Sequence, residues 1–209
     1  NLFVKGYGMK IQKCAFGEYQ TNAYILQFDD FEFVVDPGFN ATEWVLKNTK
    51  NLQAILITHG HFDHIWDTAK LQEQTKAKGD CPIQDSFMLE SDCFNLGLTP
   101  CKADVYIEND KDSKSLNING INVTYWHFPG HTPGCSIIEV CGHIFSGDFI
   151  FQRSIGRYDF PYSNSNDMRE SLERFLQIKE DLPIHPGHGG DTSVFAESRN
   201  IPAWIKYIA

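Results

Sequence analysis

Short apolar runs broken by turn-like residues dominate this chain, and they predict strands more often than helices. KIQKCAF (10–16), AYILQFD (23–29) and FEFVVD (31–36) are β-rich and read as a strand meander. QAILIT (53–58) is the continuous apolar run of a buried strand, ending at His59. INVTYWHF (121–128), CSIIEV (135–140) and HIFSGD (143–148) predict three more strands joined by turns. Helices are predicted over 41–49, over 64–79 with Gly79 as the stop, and over 165–181. In the last, Met168, Leu172, Phe175 and Leu176 form the i, i+4, i+7, i+8 stripe of a helix lying on a sheet. Residues 81–119 carry the weakest pattern, with one short helix read around 86–95. Strands interspersed with helices and no linker-like stretch predict one α/β (α+β) domain over residues 9–209, its sheets covered by helices.

Composition narrows the class without naming it. A net charge of −9 gives no electrostatic case for nucleic acid, and no stretch approaches the roughly 20 apolar residues of a membrane helix. Neither partner is expected. Residues 1–8 lack the apolar core of a secretory signal, and MKIQKCAF reads like a natural start, so 1–8 are taken as an expression remnant or disordered leader. Six cysteines without a CxxC pair read as reduced thiols of a cytoplasmic protein.

The chemistry concentrates in ILITHGHFDHIWD, where His59, His61, Asp63 and His64 crowd into six positions behind an apolar run. In an extended segment, residues two apart point the same way, so His59 and His61 can grip one ion. Asp63 and His64 sit at the turn into the next helix and face differently, which suggests two neighbouring metals. PGHTPG (129–134), SGDFIF (146–151) and HPGHGG (185–190) each place one more candidate, His131, Asp148 and His188, in a Gly/Pro turn after a strand-like run. His127 and His143 read as structural, and His185 as a support for the His188 loop.

THGHFDH, PGHTPG, SGDF and PGHGG, in that order, resemble the metallo-β-lactamase superfamily from about Met9 to the end of the chain. The resemblance implies a four-layer αββα sandwich with metals at one edge of two sheets. It implies that His59, His61 and His131 hold one ion, that Asp63, His64 and His188 hold a second, and that Asp148 bridges both. Two divalent ions are thus the expected cofactor, zinc first, with iron and manganese suited to the same ligands.

Such a pair of ions holds a bridging hydroxide at neutral pH. Hydrolysis is the implied reaction, with Asp63 and Asp148 as its catalytic carboxylates. GDFIFQRSIGRYDFP (147–161) and GHGGDTSVFAESRNIPAW (187–204) resemble the glyoxalase II (hydroxyacylglutathione hydrolase) group, in particular its short members without the helical C-terminal domain. The implied substrate is a small-molecule thioester such as S-lactoylglutathione. Where that group uses a lysine and a tyrosine on glutathione, this loop has Arg157 and Asp159, so Arg157 and Tyr158 become the candidate substrate contacts, while Arg157 paired with Asp159 would instead fix the loop. GRYDF also resembles the persulfide dioxygenases, in which the positions of His59, His131 and Asp148 form a mononuclear iron site; this is the alternative reading, with a lactonase ranking lower.

Overall fold

The computed structural model describes residues 8–208, so the leader read over 1–8 lies outside the described residues except for Gly8. The chain divides into two compact units, Asn1–Ile107 and Glu108–Ala209.

The first unit contains β1 (Lys10–Phe16), β2 (Thr21–Gln27), β3 (Glu32–Val35), α1 (Ala41–Asn48), β4 (Leu52–Leu56), α2 (Phe62–Ile65), α3 (Thr68–Thr75), β5 (Lys78–Pro82), α4 (Ser86–Glu90) and β6 (Val105–Ile107). Its six strands form one sheet in sequence order. The predicted meander β1–β2–β3 is antiparallel, and β3 to β6 then pair in parallel. Parallel strands need crossovers, which α1 and the α2–α3 pair supply. Ile25, Val34, Ile55 and Ile57 pack with Val45 of α1, Leu71 of α3 and Leu89 of α4. The alternate positions Tyr24, Leu26, Phe33, Val35 and Leu56 are buried as well. Burial on both faces explains why these strands read as continuous apolar runs.

The helix predicted over 64–79 is a correction. It breaks after Ile65, resumes at Thr68 and ends at Thr75. Lys76 enters the left-handed region (φ 61°) and its N–H closes on the Gln72 carbonyl, so the polar KAKG stretch leaves the helix early. Gly79 is a strand residue, paired with Ile55, rather than a stop.

The second unit contains β7 (Ser113–Ile118), β8 (Ile121–His127), β9 (Ser136–Val140), β10 (His143–Gly147), β11 (Ile150–Phe151), β12 (Ser154–Ile155), α5 (Ser165–Phe175), β13 (Pro183–Pro186), β14 (Thr192–Ser193), α6 (Val194–Ser198) and α7 (Ile201–Ile208). Its sheet runs β14-β13-β10-β9-β8-β7, with β11 and β12 forming a separate ribbon. The meander β7 to β10 is antiparallel, and β13 joins β10 in parallel. The predicted stripe of α5 is realised: Met168, Leu172 and Phe175 are fully buried against Phe128, Ile137 and Ile184, with Leu176 half-buried beside them. The helix starts where Asn164 accepts the Asp167 N–H (2.9 Å), and ends six residues before the predicted limit because Gln177 and Ile178 bond three residues back in tight turns. Among the described residues, no helix is long and apolar enough to cross a membrane.

Candidate metal centre

In the first unit, β4 delivers Thr58 and His59 into a fully buried position. The polar network there sets the imidazole tautomers. Asp36, just after β3, accepts from the Thr58 N–H (2.8 Å) and from the Thr58 hydroxyl (2.7 Å). Because that hydroxyl has one proton and donates it to Asp36, it accepts from His59 Nδ1 at 2.9 Å. His64 Nδ1 likewise donates to Asp36 at 2.8 Å. Both rings therefore carry the proton on Nδ1 and the lone pair on Nε2, the state a metal ligand requires. Asp36, His59 and His64 offer ligand atoms within 4.8 Å of one another.

The next turn begins α2 and carries the rest of the motif. His61 is its N-cap residue in extended conformation, and Asp63 and His64 lie in its single turn. The two expected sets lie close together: the His59 ring centroid is 5.1 Å from that of His61 and 4.2 Å from that of His64. Asp63 Oδ2 accepts from the Thr21 hydroxyl (2.7 Å) and lies 3.4 Å from His64 Nε2. Two glycines are imposed by packing. A Cβ on Gly38 would fall 2.2 Å from the Asp63 carbonyl, and one on Gly60 would fall 2.9 Å from Met88. Gly60 N–H is held by the buried Asp85 carboxylate at 2.8 Å.

In the second unit, the parallel pair β10–β13 brings its C-terminal ends side by side, and this juxtaposes Asp148 and His188. His188 Nε2 lies 3.3 Å and His131 Nε2 3.4 Å from the same oxygen, Asp148 Oδ2. His131 sits in the turn after β8, pinned to α5 by Ser171 on the Pro129 carbonyl (2.6 Å) and Asn164 N–H on the Gly130 carbonyl (2.8 Å). Its Nδ1 donates to the Arg157 carbonyl at 2.7 Å, again leaving Nε2 toward the carboxylate. The strand-end turns thus gather all three predicted residues of this unit.

The remaining residues fall as follows. The Arg157 guanidinium is exposed, bonded to both oxygens of Asp159 (2.9 Å each) and stacked over Phe160. This pairing holds the Asp159 carboxyl below its ordinary value. Tyr158 packs half-buried against the apolar core of its unit. His127 is structural, accepting the Lys111 N–H and donating to the Pro133 carbonyl. His185 links His143 (2.9 Å) to Asp191 (3.2 Å), and so braces the loop that carries His188. Sequence reading missed Asp36, Thr21 and Asp85. Asp36 left a signal, an acidic residue inside the apolar run FVVDPG, where a buried carboxylate needs partners.

Comparison with known proteins agrees with this geometry. A single family model, the metallo-beta-lactamase superfamily, matches residues 16–201 and so spans both units. The chain is 31% identical over 211 residues to the probable metallo-hydrolase YqgX of Bacillus subtilis, covering 93% of this chain and 97% of that protein. It is 29% identical over 208 residues to the hydroxyacylglutathione hydrolase GloC of Haemophilus influenzae, with the same coverage. Among solved structures, the BLEG-1 B3 metallo-beta-lactamase superposes with a TM-score of 0.82 at 28% identity, over 93% of this chain and 99% of that one.

Proposed function

Because this chain belongs to the metallo-β-lactamase superfamily and has its fold, we propose that it is a binuclear metallohydrolase that cleaves thioesters. The observation that carries the proposal is the treatment of the histidines. His59, His64 and His131 each have Nδ1 committed to a fixed acceptor, which orients Nε2 as a donor to a metal. The donor set is nitrogen and oxygen throughout and suits divalent ions. We assign His59, His61 and His131 to one ion, Asp63, His64 and His188 to the other, and Asp148 to both, with zinc as the resident metal. When bound, such a pair supplies a nucleophile at neutral pH and stabilises the oxyanion that develops on a carbonyl.

The chain's own residues do the rest. Asp36 fixes the His64 ring, Thr58 fixes that of His59, and the Arg157 carbonyl fixes that of His131, so the ligands need little rearrangement during the reaction. Thr21 holds Asp63 in a single orientation. Arg157 spends its Nε and one Nη2 donor on Asp159, and its other N–H groups are proposed to meet a substrate carboxylate, with Tyr158 acting beside it. A thioester fits because a thiolate leaves without a strong general acid, and similarity to a hydroxyacylglutathione hydrolase over most of both chains supports that class.

The test loads metal-free protein separately with zinc and with iron(II), then offers S-lactoylglutathione and glutathione persulfide. Thiol release from the thioester without oxygen uptake is expected. Oxygen uptake with persulfide, confined to the iron form and without thioester cleavage, would overturn the reading in favour of a dioxygenase.

A further inference from the structure

One group of large apolar side chains in the first unit sits at the metal ligands and faces solvent. Tyr19 is 59% exposed, Phe62 and Phe94 are half-buried, and Leu96, two residues after Phe94, is 49% exposed. The rings form a continuous wall: Tyr19 to Phe62 5.8 Å, Phe62 to Phe94 6.3 Å, and Phe94 to the metal ligand His61 6.2 Å between centroids. Phe39 meets Phe62 at 6.1 Å and stacks on Trp66 at 4.2 Å, anchoring the wall from behind. Exposed apolar surface of this kind marks a place where something apolar binds.

The wall is held in position. Tyr19 lies in a tight turn in which Gly17 has φ 73° and both the N–H and the side-chain amide of Gln20 bond the Gly17 carbonyl. Two residues on, the Thr21 hydroxyl bonds Asp63 Oδ2, so this turn is tied to the metal site. Phe94 and Leu96 lie in a loop closed by Asp92, whose carboxylate takes the N–H groups of Leu96 (3.0 Å) and Gly97 (2.8 Å). A surface ordered in advance loses little on binding. The charged residues within two positions of Tyr19, Phe62 and Phe94 in the sequence, Glu18, Asp63 and Asp92, are all acidic. The wall therefore suits a neutral apolar group and disfavours the carboxylates of a tripeptide thiol.

We propose that Tyr19, Phe62, Phe94 and Leu96 form the acyl subsite, and that the preferred substrates are thioesters of bulky apolar, above all aromatic, acyl groups. This rests on the thioester reading. The test compares S-phenylacetylglutathione with S-lactoylglutathione in the zinc-loaded protein, and separately measures binding of the product acids phenylacetate and lactate by titration calorimetry. The phenylacetyl thioester is expected to have the higher kcat/KM, by about tenfold or more from one well-filled apolar pocket. Phe94→Ala and Tyr19→Ala, each checked for an unchanged melting temperature, should shrink that ratio severalfold and erase the preference for phenylacetate. A lactoyl preference in the wild type, or a ratio unmoved in both variants, would overturn the subsite. If neither thioester is cleaved, the thioester reading fails. In that case a phenylacetate preference abolished by Phe94→Ala still sustains the wall as a binding site, and its absence removes both.

Discussion

Asp36→Asn isolates the role of a carboxylate that touches the candidate ligand His64 without being assigned as a ligand itself. Asp36 is buried and accepts three hydrogen bonds, two from Thr58 and one from His64 Nδ1, all between 2.7 and 2.8 Å. Its φ of 51° is left-handed, a conformation that asparagine tolerates as well as aspartate, so the substitution preserves backbone and shape. What changes is one oxygen. An amide nitrogen facing His64 puts two donors together and forces that ring to rotate or move its proton to Nε2, which destroys the lone pair aimed at the metal. An amide nitrogen facing the Thr58 N–H loses that bond instead, and His64 then keeps only a neutral amide oxygen in place of a carboxylate. A hydrogen bond to a charged group contributes about 1.5–3 kcal/mol. Loss of such outer partners typically weakens metal binding roughly 10–100-fold. Competition with a chromophoric zinc chelator measures the affinity, and thermal unfolding of the metal-free protein checks that the fold survives. Unchanged affinity in a folded variant would refute the reasoning, because His64 would then not depend on Asp36.

Three other outcomes follow from the same geometry. Asp148→Asn should leave a folded protein, since the apolar core is untouched, while the proposed thioester cleavage falls by orders of magnitude; near-wild-type turnover would show that Asp148 does not bridge. Gly156→Ala would place a Cβ 1.6 Å from the Asp148 carbonyl and 3.2 Å from His131 Nδ1. The backbone must then shift by more than about 1 Å, and a displacement of about 1 Å can already cost on the order of 100-fold in rate, so calorimetry should record a lower melting temperature and activity assays a collapse. Burial, and then the neighbouring Asp104 charge, raises the Asp80 carboxyl from 3.8 to about 7. Between those values the folded state holds the extra proton, so stability is greatest at the acid end and is lost as pH rises from about 4 to about 7, by up to roughly 1.4 kcal/mol per pH unit. Urea midpoints of the metal-free protein should show that slope, and Asp80→Asn should flatten it; equal slopes would refute the assignment.

What the sequence made legible follows from how local each feature is. The meanders β1–β3 and β8–β10 were readable because hairpin strands carry their own alternation and turns, and α5 because its four-residue stripe meets one sheet face. The strands β5 and β6 were not, since KGDCP and VYI gain their identity from parallel pairing with distant segments. The candidate metal ligands were readable as residue types in strand-end turns. Their supports were not: Asp36 reaches His64 across 28 positions and Thr21 reaches Asp63 across 42, distances over which no spacing rule acts. The aromatic wall was equally hidden, because Tyr19, Phe62 and Phe94 are neighbours only in the folded sheet and its loops.

Metal stoichiometry tests the binuclear centre most directly. Protein freed of metal, saturated with zinc and desalted should contain two equivalents per chain by elemental analysis, and His61→Ala and His188→Ala should each retain only one. A single equivalent at saturation would contradict the assignment of His59, His61 and His131 to one ion and of Asp63, His64 and His188 to another.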